Sequence, residues 1–274
     1  MPEQEISGIV ITIFSTASSV GKTLIAVNMA SELAREGHRV CVVDFDLQFG
    51  DVANYLKLGY EKSVFDAVNS LKDNPNANIM GLLTKYSHNN VTFDVLPAPR
   101  ELSQAYNMDS KECAKIIEKL RMQYDYIVVD TTSMFSVLNL AMLDISTIVT
   151  FLGIVDFIPT IKNMKIGNDT LHTLNYDANK IRLVLNRSDA KTRIDMNDVE
   201  KLLGDQFYHI LPNDFGAANQ SIASGIPLVL SDRTGSLTEG IRALVALYTN
   251  KSFHESTDSS DKAPSGGWLS KIFS

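Results

Sequence analysis

The chain has 274 residues, of which 45% are hydrophobic and 21% are charged, and its formal net charge is −7. This length and composition are typical of a globular protein with one or two domains and an ample core. The acidic balance disfavours a surface built for DNA or RNA, and two cysteines, Cys41 and Cys113, exclude a disulfide framework. The acidic residues 1–5 lack the apolar segment of a secretory signal, so we expect a cytoplasmic location.

Strand patterns alternate with helical patterns along the sequence. Short β-branched apolar runs favour buried strands, whereas apolar residues at helical spacing favour amphipathic helices. The alternation predicts one α/β domain over residues 7–250, with a mostly parallel central sheet and helices on both faces. Strands are predicted over Ile9–Phe14, Arg39–Asp44, Val91–Pro97, Tyr126–Asp130, the residues around Ile148, and Ile181–Asn186, and helices over Leu24–Ala34, Ser63–Leu71, Lys111–Gln123, Ile161–Leu174, Met196–Leu203 and Leu237–Tyr248.

The apolar run from Phe135 to Val155 is long enough to suggest a membrane span. Asp144 interrupts this run, and the residues that follow it are rich in β-branched side chains. We therefore expect a helix followed by a buried strand, and not a transmembrane helix.

The segment between the first strand and the first helix has the pattern of a phosphate-binding loop. Gly21-Lys22-Thr23 matches the end of G-x-x-x-x-G-K-[ST], although Thr16 replaces the first glycine. The order of strand, loop and helix is that of a P-loop NTPase. An ordinary strand–turn–helix with a chance Gly-Lys-Thr is the alternative interpretation.

Each part of this loop has a predicted role toward a nucleotide. The N–H groups at the start of the helix, together with the helix dipole, would hold phosphate oxygens. Lys22 would neutralise the terminal phosphates, and Thr23 would bind Mg²⁺. The residues predicted to contact the nucleotide here are Ser18, Ser19, Val20, Gly21, Lys22, Thr23 and Leu24.

Two aspartates follow predicted strands at the edge where open α/β sheets bind ligands. Asp46 comes after the second strand, and Asp130 ends the fourth. Asp130 fits the role of holding Mg²⁺ through water, and Asp46 would orient the attacking water or contact the metal shell. The predicted metal site is therefore Thr23, Asp46 and Asp130, and the predicted catalytic residues are Asp46 and Lys22. Simple capping of turns or helices is the alternative for either aspartate.

Together these motifs resemble those of the MinD/ParA group of deviant Walker A ATPases. Within that group the chain is most similar to the CpaE/TadZ type associated with bacterial Flp/Tad pilus assembly. The Asp-x-Asp-x-Gln-Phe-Gly-Asp run at residues 44–51 is the most specific sign of this branch. The resemblance covers nearly the whole predicted domain and is carried by Val20–Thr23, Val43–Asp51, Leu96–Pro99, Tyr126–Asp130, Leu185–Arg187 and Leu211–Asp214.

The resemblance implies further site residues and an assembly. ATP or ADP would bind with Mg²⁺, and the ATP form would be a homodimer. Asn186 and the segment around Pro212 would recognise adenine, with Arg187 and Asp214 in the same set. An Asn amide both donates and accepts hydrogen bonds, as the adenine edge requires. The alternative for Asn186 is a turn residue after a strand.

The first half of the loop departs from the family pattern Lys-Gly-Gly-x-Gly-Lys-[Ser/Thr]. Ala17 stands where the family has the lysine that reaches the partner's phosphates, and Ser18-Ser19 stand in place of the glycine pair. The usual Asp-x-Pro is also missing, since Thr131-Thr132 follow Asp130. An alanine cannot neutralise charge in the transition state. We therefore expect nucleotide binding to be retained and hydrolysis to be slow.

Several functions are compatible with such a site. The first hypothesis is a slowly hydrolysing positional switch that acts with pilus-assembly or polar partner proteins. A catalytically weak nucleotide-binding scaffold and a MinD-like ATPase for division or flagellar placement are the alternatives. The acidic balance disfavours a DNA-partition protein of the ParA kind.

The composition changes after residue 250. Residues 251–267 are rich in Ser, Asp, Lys, Pro and Gly, which predicts a disordered linker. On a helix, Trp268, Leu269, Ile272 and Phe273 would share one face of the final segment, residues 268–274. MinD-like proteins bind membranes through a comparable tail, so we expect peripheral contact with the inner face of the cell membrane. Docking of this tail on a partner or on its own domain is the alternative.

Overall fold

A central β-sheet organises the computed structural model, which describes residues 8–250 except 107, 178, 189–195 and 232–234. Within these residues the strands lie in the order β3-β4-β2-β5-β1-β6-β7-β8, and all neighbours are parallel except β3 and β4. The predicted, mostly parallel sheet is thus confirmed. In chain order the strands are β1 (Ile9–Phe14), β2 (Val40–Asp44), β3 (Thr84–His88), β4 (Val91–Leu96), β5 (Tyr126–Asp130), β6 (Ile148–Gly153), β7 (Ile181–Leu185) and β8 (His209–Ile210).

Helices cover both faces of the sheet. In chain order they are α1 (Lys22–Arg35), α2 (Val52–Tyr55), α3 (Val64–Asp73), α4 (Leu102–Ala105), α5 (Ser110–Arg121), α6 (Val137–Ile145), α7 (Ile158–Thr173), α8 (Met196–Leu203), α9 (Phe215–Ser224) and α10 (Ser236–Thr249), with 3-10 helices at Met80–Leu82 and Leu228–Leu230.

Successive residues of β1 serve opposite sides of the sheet. Ile11 and Ile13 are buried in the cluster that contains residues of α1 and α10, whereas Val10 is buried among residues of α3, α5 and α6. This period of two is that of a strand buried on both faces. The resulting three layers leave the carboxyl ends of the parallel strands as the natural ligand edge.

Local signals explain several helix ends. Ser63 Oγ accepts from Phe65 N at 3.3 Å, and Asp66 Oδ2 accepts from Ser63 N at 3.0 Å, which forms a capping box at the start of α3. Gly225, with φ of 76°, ends α9 in the left-handed conformation. Side-chain capping and a glycine stop thus fix these boundaries.

The sequence did not predict β3, β8 or α9. The short strand β3 is mostly polar and lies antiparallel at the sheet edge, where apolar periodicity is weak. Asn89 and Asn90, with φ of 43° and 66°, join it to β4. Two left-handed residues between paired strands are the requirement of a tight hairpin, so the Asn-Asn pair was the available signal.

The apolar run at 135–155 forms α6 followed by β6, as expected, with Asp144 exposed at the end of α6. Across the described part of the chain, no helix combines the length and apolar character needed to cross a bilayer. The predicted linker and the amphipathic segment after it lie outside the described residues.

Candidate functional site

The loop between β1 and α1 depends on a glycine at its last position. Gly21 has φ of 98°, and a Cβ there would lie 2.8 Å from Asn186 Nδ2. Any L side chain would meet both backbone strain and a clash with a buried amide. Within the described residues no side chain caps α1. The N–H groups of its first turn are therefore not satisfied by a capping side chain.

Thr23 and Asp130 meet where β5 ends beside β1. Thr23 Oγ1 donates to Asp130 Oδ2 at 2.6 Å. Asp130 is 1% exposed, and its Oδ1 has no hydrogen-bond partner among the described residues. Burial raises the pKa of Asp130 to about 7, against the hydrogen bond from Thr23 and the charge of Lys22. A buried carboxyl with an unused oxygen beside a threonine hydroxyl has the chemistry of a site for a hard cation.

Lys22 is held by a serine that the sequence did not single out. Its Nζ donates to Ser133 Oγ at 2.6 Å, and Ser133 Oγ donates to the carbonyl of Ala17 at 2.8 Å. Burial lowers the pKa of Lys22, and the charges of Asp130 and Asp46 oppose that shift. The ammonium thus lies in the loop, within the field of both predicted carboxylates.

Asp46 lies on a loop that a second aspartate organises. The buried Asp44 accepts from Asp46 N and from Val52 N, each at 3.1 Å. A Cβ on Gly50 would lie 2.6 Å from Asp44 Oδ2, so a side chain there has no room. Burial and the charge of Asp130 raise the pKa of Asp44 well above its usual range. The Asp-x-Asp spacing was the sequence signal for Asp44, which we had not predicted as a site residue.

Asn186 and Arg187 lie at the end of β7 and contact the loop directly. Asn186 Nδ2 donates to Val20 O at 2.8 Å, and its Oδ1 accepts from Arg187 N at 3.0 Å. Arg187, with φ of 58°, donates through Nη2 to Ser19 O at 3.0 Å. The side chains after β7 therefore lie against the loop backbone.

Pro212 and Asp214 lie further along the same edge. Ser188 N donates to Leu211 O at 3.1 Å, which places the segment at Pro212 beside the end of β7. Asp214 Oδ1 accepts from Ala217 N at 2.9 Å and caps α9. Asp214 also lines a cavity of about 680 Å³ with residues of α9 and the β3–β4 hairpin, and no residue of 15–24 lines it.

The remaining predicted loop residues fall into two groups. Ser18 and Ser19 are exposed, and Ser19 has φ of 58°. Val20 is fully buried, and the partly buried Leu24 packs against the core. The exposed pair therefore forms the rim of the loop, and Val20 anchors it.

Large apolar side chains surround this edge of the sheet. They follow the carboxyl ends of β5 and β6, which flank β1, and of β2, which lies beyond β5. Each is at least 60% exposed: Phe49, Met134, Val137, Phe157 and Ile158. Several exposed apolar side chains at one edge are typical of a surface that binds another protein.

A family model and several known proteins match this chain. The family model described as the CobQ/CobB/MinD/ParA nucleotide binding domain matches residues 11–228. The septum site-determining protein MinD of Helicobacter pylori is 32% identical over 123 residues, which cover 45% of this chain and 44% of that protein. The match therefore spans less than half the length of this relative.

Two solved structures have the same fold. A ParA family ATPase from Chlorobium tepidum superposes with a TM-score of 0.79 at 21% identity, over 87% of this chain and 99% of that one. MinD from Pyrococcus horikoshii, complexed with Mg-ADP, superposes with a TM-score of 0.75 at 17% identity, over 88% and 96% of the two chains. The predicted α/β fold of the P-loop NTPases is thereby confirmed. Because the family model spans well over half of the sequence, the chain belongs to the CobQ/CobB/MinD/ParA nucleotide-binding domain family.

Proposed function

We propose that this chain is a MinD/ParA-type positional switch that binds ATP or ADP with Mg²⁺ and hydrolyses ATP slowly. The observation that carries the proposal is the Thr23–Asp130 contact of 2.6 Å at the start of α1. It puts a hydroxyl and a buried carboxyl with a free Oδ1 at the helix end that favours anions. The solved MinD with Mg-ADP, which has this fold, supports the assignment.

Thr23 and Asp130 would hold the metal, with Asp46 at its outer shell. Among the described residues, no group of three or more His, Cys, Asp or Glu side chains is placed so that it could hold a metal ion. The Thr23 hydroxyl and the single buried carboxyl of Asp130 fit Mg²⁺, which is bound through one or two carboxylates, water and phosphate oxygens. When bound, Mg²⁺ would neutralise charge on the phosphate oxygens.

The phosphates would lie between the start of α1 and Lys22. The N–H groups of the first turn and the Lys22 ammonium supply positive charge from two sides. On the base side we keep Asn186, Arg187, Pro212 and Asp214 as the proposed set. The Asn186 amide nitrogen has two hydrogens and gives one to Val20 O, so one remains for a ligand.

Slow hydrolysis follows from what the loop lacks. Ala17 brings no charge to the phosphates, and its carbonyl is bound by Ser133. Asp46 Oδ1 accepts from Phe49 N at 3.2 Å, so its second carboxylate oxygen would orient the water. Loss of one charged contact in the transition state costs on the order of 10²-fold in rate.

The test is nucleotide binding and turnover in matched variants. We expect calorimetry to detect Mg-ADP binding that falls about 10- to 100-fold in Lys22→Ala, because a charged phosphate contact is lost. The control is Lys62→Ala, which removes only a surface ion pair with Asp66. Absence of any nucleotide binding in the wild type would refute the proposal. Turnover that is equal in wild type and Lys22→Ala would assign it to a contaminant and favour the scaffold.

The exposed apolar side chains at positions 49, 134, 137, 157 and 158 support a nucleotide-dependent homodimer. These side chains surround the edge that would hold the phosphates, so a second copy packed there would bury them together with the nucleotide. We expect light scattering to show a dimer with Mg-ATP and a monomer without it. A Val137→Asp variant should remain monomeric, because a charge in that interface would be desolvated.

For the cellular role we propose placement of a Flp/Tad-type pilus, with pilus-assembly or polar proteins as partners. The support is the run at residues 44–51, whose buried Asp44 and closely packed Gly50 shape the loop that carries Asp46. The identity to a septum-site MinD favours division-site placement as a second candidate. Deletion of the gene separates the two: lost or misplaced pili support the first, and misplaced septa support the second.

We further propose one domain over residues 7–250, a linker at 251–267, and membrane contact by the final segment. Trp268, Leu269, Ile272 and Phe273 are its apolar residues. Co-sedimentation with anionic vesicles, with and without residues 268–274, tests the last point. Equal sedimentation of both proteins would refute membrane contact through this segment.

A further inference from the structure

Ser133 has hydrogen bonds of fixed direction. The Ala17 carbonyl only accepts, so the Ser133 hydroxyl must donate to it, at 2.8 Å. The Lys22 ammonium only donates, so a Ser133 lone pair must accept from it, at 2.6 Å. The serine therefore links the lysine to the backbone of the loop in which that lysine lies.

The segment that carries Ser133 is fixed on both sides. Before it, Thr131 Oγ1 donates to Ile13 O of β1 at 2.7 Å. After it, the buried Asn139 donates through Nδ2 to Met134 O at 2.6 Å and to Thr132 Oγ1 at 2.8 Å. These contacts leave Ser133 little freedom, so its hydroxyl is a rigid support.

The end of β5 thus contacts both functional side chains at the start of α1. Asp130 binds Thr23, and Ser133, three residues later, binds Lys22. A lysine side chain is long and flexible, and fixing it costs rotamer entropy. One bond to Ser133 spends one of its three N–H donors and leaves two with restricted directions.

We propose that Ser133 is the positioning residue of Lys22, which holds the ammonium so that its two remaining N–H groups meet the terminal phosphates. This inference rests on the proposed nucleotide site. It also assigns a purpose to a segment that lacks the Asp-x-Pro of the family pattern. Ser133 itself does not contact the nucleotide in this role, because both of its hydrogen bonds are to the protein.

The test is a double-mutant cycle on Mg-ADP affinity, read by displacement of a fluorescent ADP analogue. We expect Ser133→Ala to weaken binding by roughly threefold to tenfold, the usual net size of one lost hydrogen bond. In the Lys22→Ala background the same change should alter affinity by less than about twofold, because the two residues act as one unit.

Ser136→Ala is the matched control. Ser136 lies on the same segment, and its Oγ accepts from Asn139 N at 3.1 Å to cap α6, so its loss perturbs the segment without removing the bond to Lys22. Its affinity should stay within about twofold of the wild type, since a cap contributes mainly to stability. If Ser133→Ala does not fold, Ser133→Cys takes its place, because the thiol keeps the volume and weakens both hydrogen bonds.

Each outcome decides the inference. Weaker binding in Ser133→Ala that disappears without Lys22 supports it. Unchanged or tighter binding, an equal loss in Ser136→Ala, or a full further loss in the Lys22→Ala background overturns it. A wild type that binds no Mg-ADP would instead refute the proposed function, so the two failures are distinguishable.

Discussion

The two halves of the loop between β1 and α1 are held in different ways. Residues 20–23 are fixed by side chains from neighbouring strands: Asn186 holds Val20, Asp130 holds Thr23, and Ser133 holds Lys22. In residues 16–19 the carbonyls of Ala17 and Ser19 also accept hydrogen bonds from neighbouring side chains, but the side chains of Ser18 and Ser19 are exposed. The half that would grip phosphate thus follows the family pattern, and the half that would supply catalytic charge departs from it. Phosphate binding and catalysis therefore depend on different residues of this loop.

The largest effect on stability and nucleotide binding is expected at Gly21, where a side chain has no room. Gly21→Ala should lower stability by about 2–4 kcal/mol and abolish nucleotide binding, because it combines left-handed strain with a clash against Asn186. The matched control is Gly37→Ala, which has φ of 92° but no atom within 4 Å of the added Cβ. Strain alone should cost about 1 kcal/mol there. Equal losses in thermal unfolding would show that the clash is not what fixes residues 20–23.

The buried carboxyl of Asp130, which binds Thr23, should destabilise the fold in the absence of ligand once it is ionised. The pKa of Asp130 is about 7 in the folded chain, above its unfolded value of about 3.9. The folded state therefore binds more protons between these values, and stability falls as pH rises from about 4 to about 7. Asp130→Asn removes this loss, so the nucleotide-free variant should be more stable than the wild type at about pH 8, on the order of 4 kcal/mol.

Unfolding measurements at low pH, and on a variant of a second carboxyl, check the direction of this pH dependence. Below about pH 3 the difference should vanish, because the unfolded chain then also keeps its proton. Asp125, whose pKa the hydrogen bond from Arg39 lowers, should behave oppositely: Asp125→Asn should lose stability at neutral pH. Urea unfolding across this pH range measures both. A stability difference between Asp130→Asn and the wild type that does not change with pH would refute the raised pKa of Asp130.

Restoring the family residues at positions 17–19 should raise the ATP hydrolysis rate with little change in nucleotide affinity. We expect Ala17→Lys with Ser18→Gly and Ser19→Gly to increase the ATP hydrolysis rate about 10- to 100-fold, because a cation again reaches the phosphates of a partner copy. Mg-ADP affinity should change much less. The double glycine variant without the lysine is the control. A rate that does not rise would mean that the missing lysine is not what limits hydrolysis.

The smallest effect concerns the exposed pair. Ser19, with φ of 58°, adopts a conformation that suits glycine, so Ser19→Gly should stabilise the fold by about 0.5–1 kcal/mol. Ser18 does not have positive φ, so Ser18→Gly should destabilise it slightly. Thermal unfolding of the two variants gives the comparison. Loss of stability in both would place the strain elsewhere in residues 16–19.

The sequence predicted those elements whose pattern is local and missed those that depend on contacts with distant residues. The strand–loop–helix at residues 9–35 was predictable because its apolar periods and its Gly-Lys-Thr are local. The edge strand β3 was not, because its mostly polar side chains carry little period and its place depends on pairing with β4.

Ser133 was missed for a related reason. Nothing in the local sequence distinguishes it from Ser136 of the same segment. Its contact with Lys22 spans 111 positions of the chain and exists only because β5 lies beside β1.

The sequence by itself determined the parallel α/β architecture, the position of the phosphate loop and the absence of a lysine at Ala17. Each of these features depends on residue types and spacings within a short stretch of the chain. The tertiary structure alone decided which side chains fix that loop, since Asn186, Asp130 and Ser133 come from distant strands and segments. It also decided that Asp130 is buried with a raised pKa, because burial depends on the packing of the whole sheet.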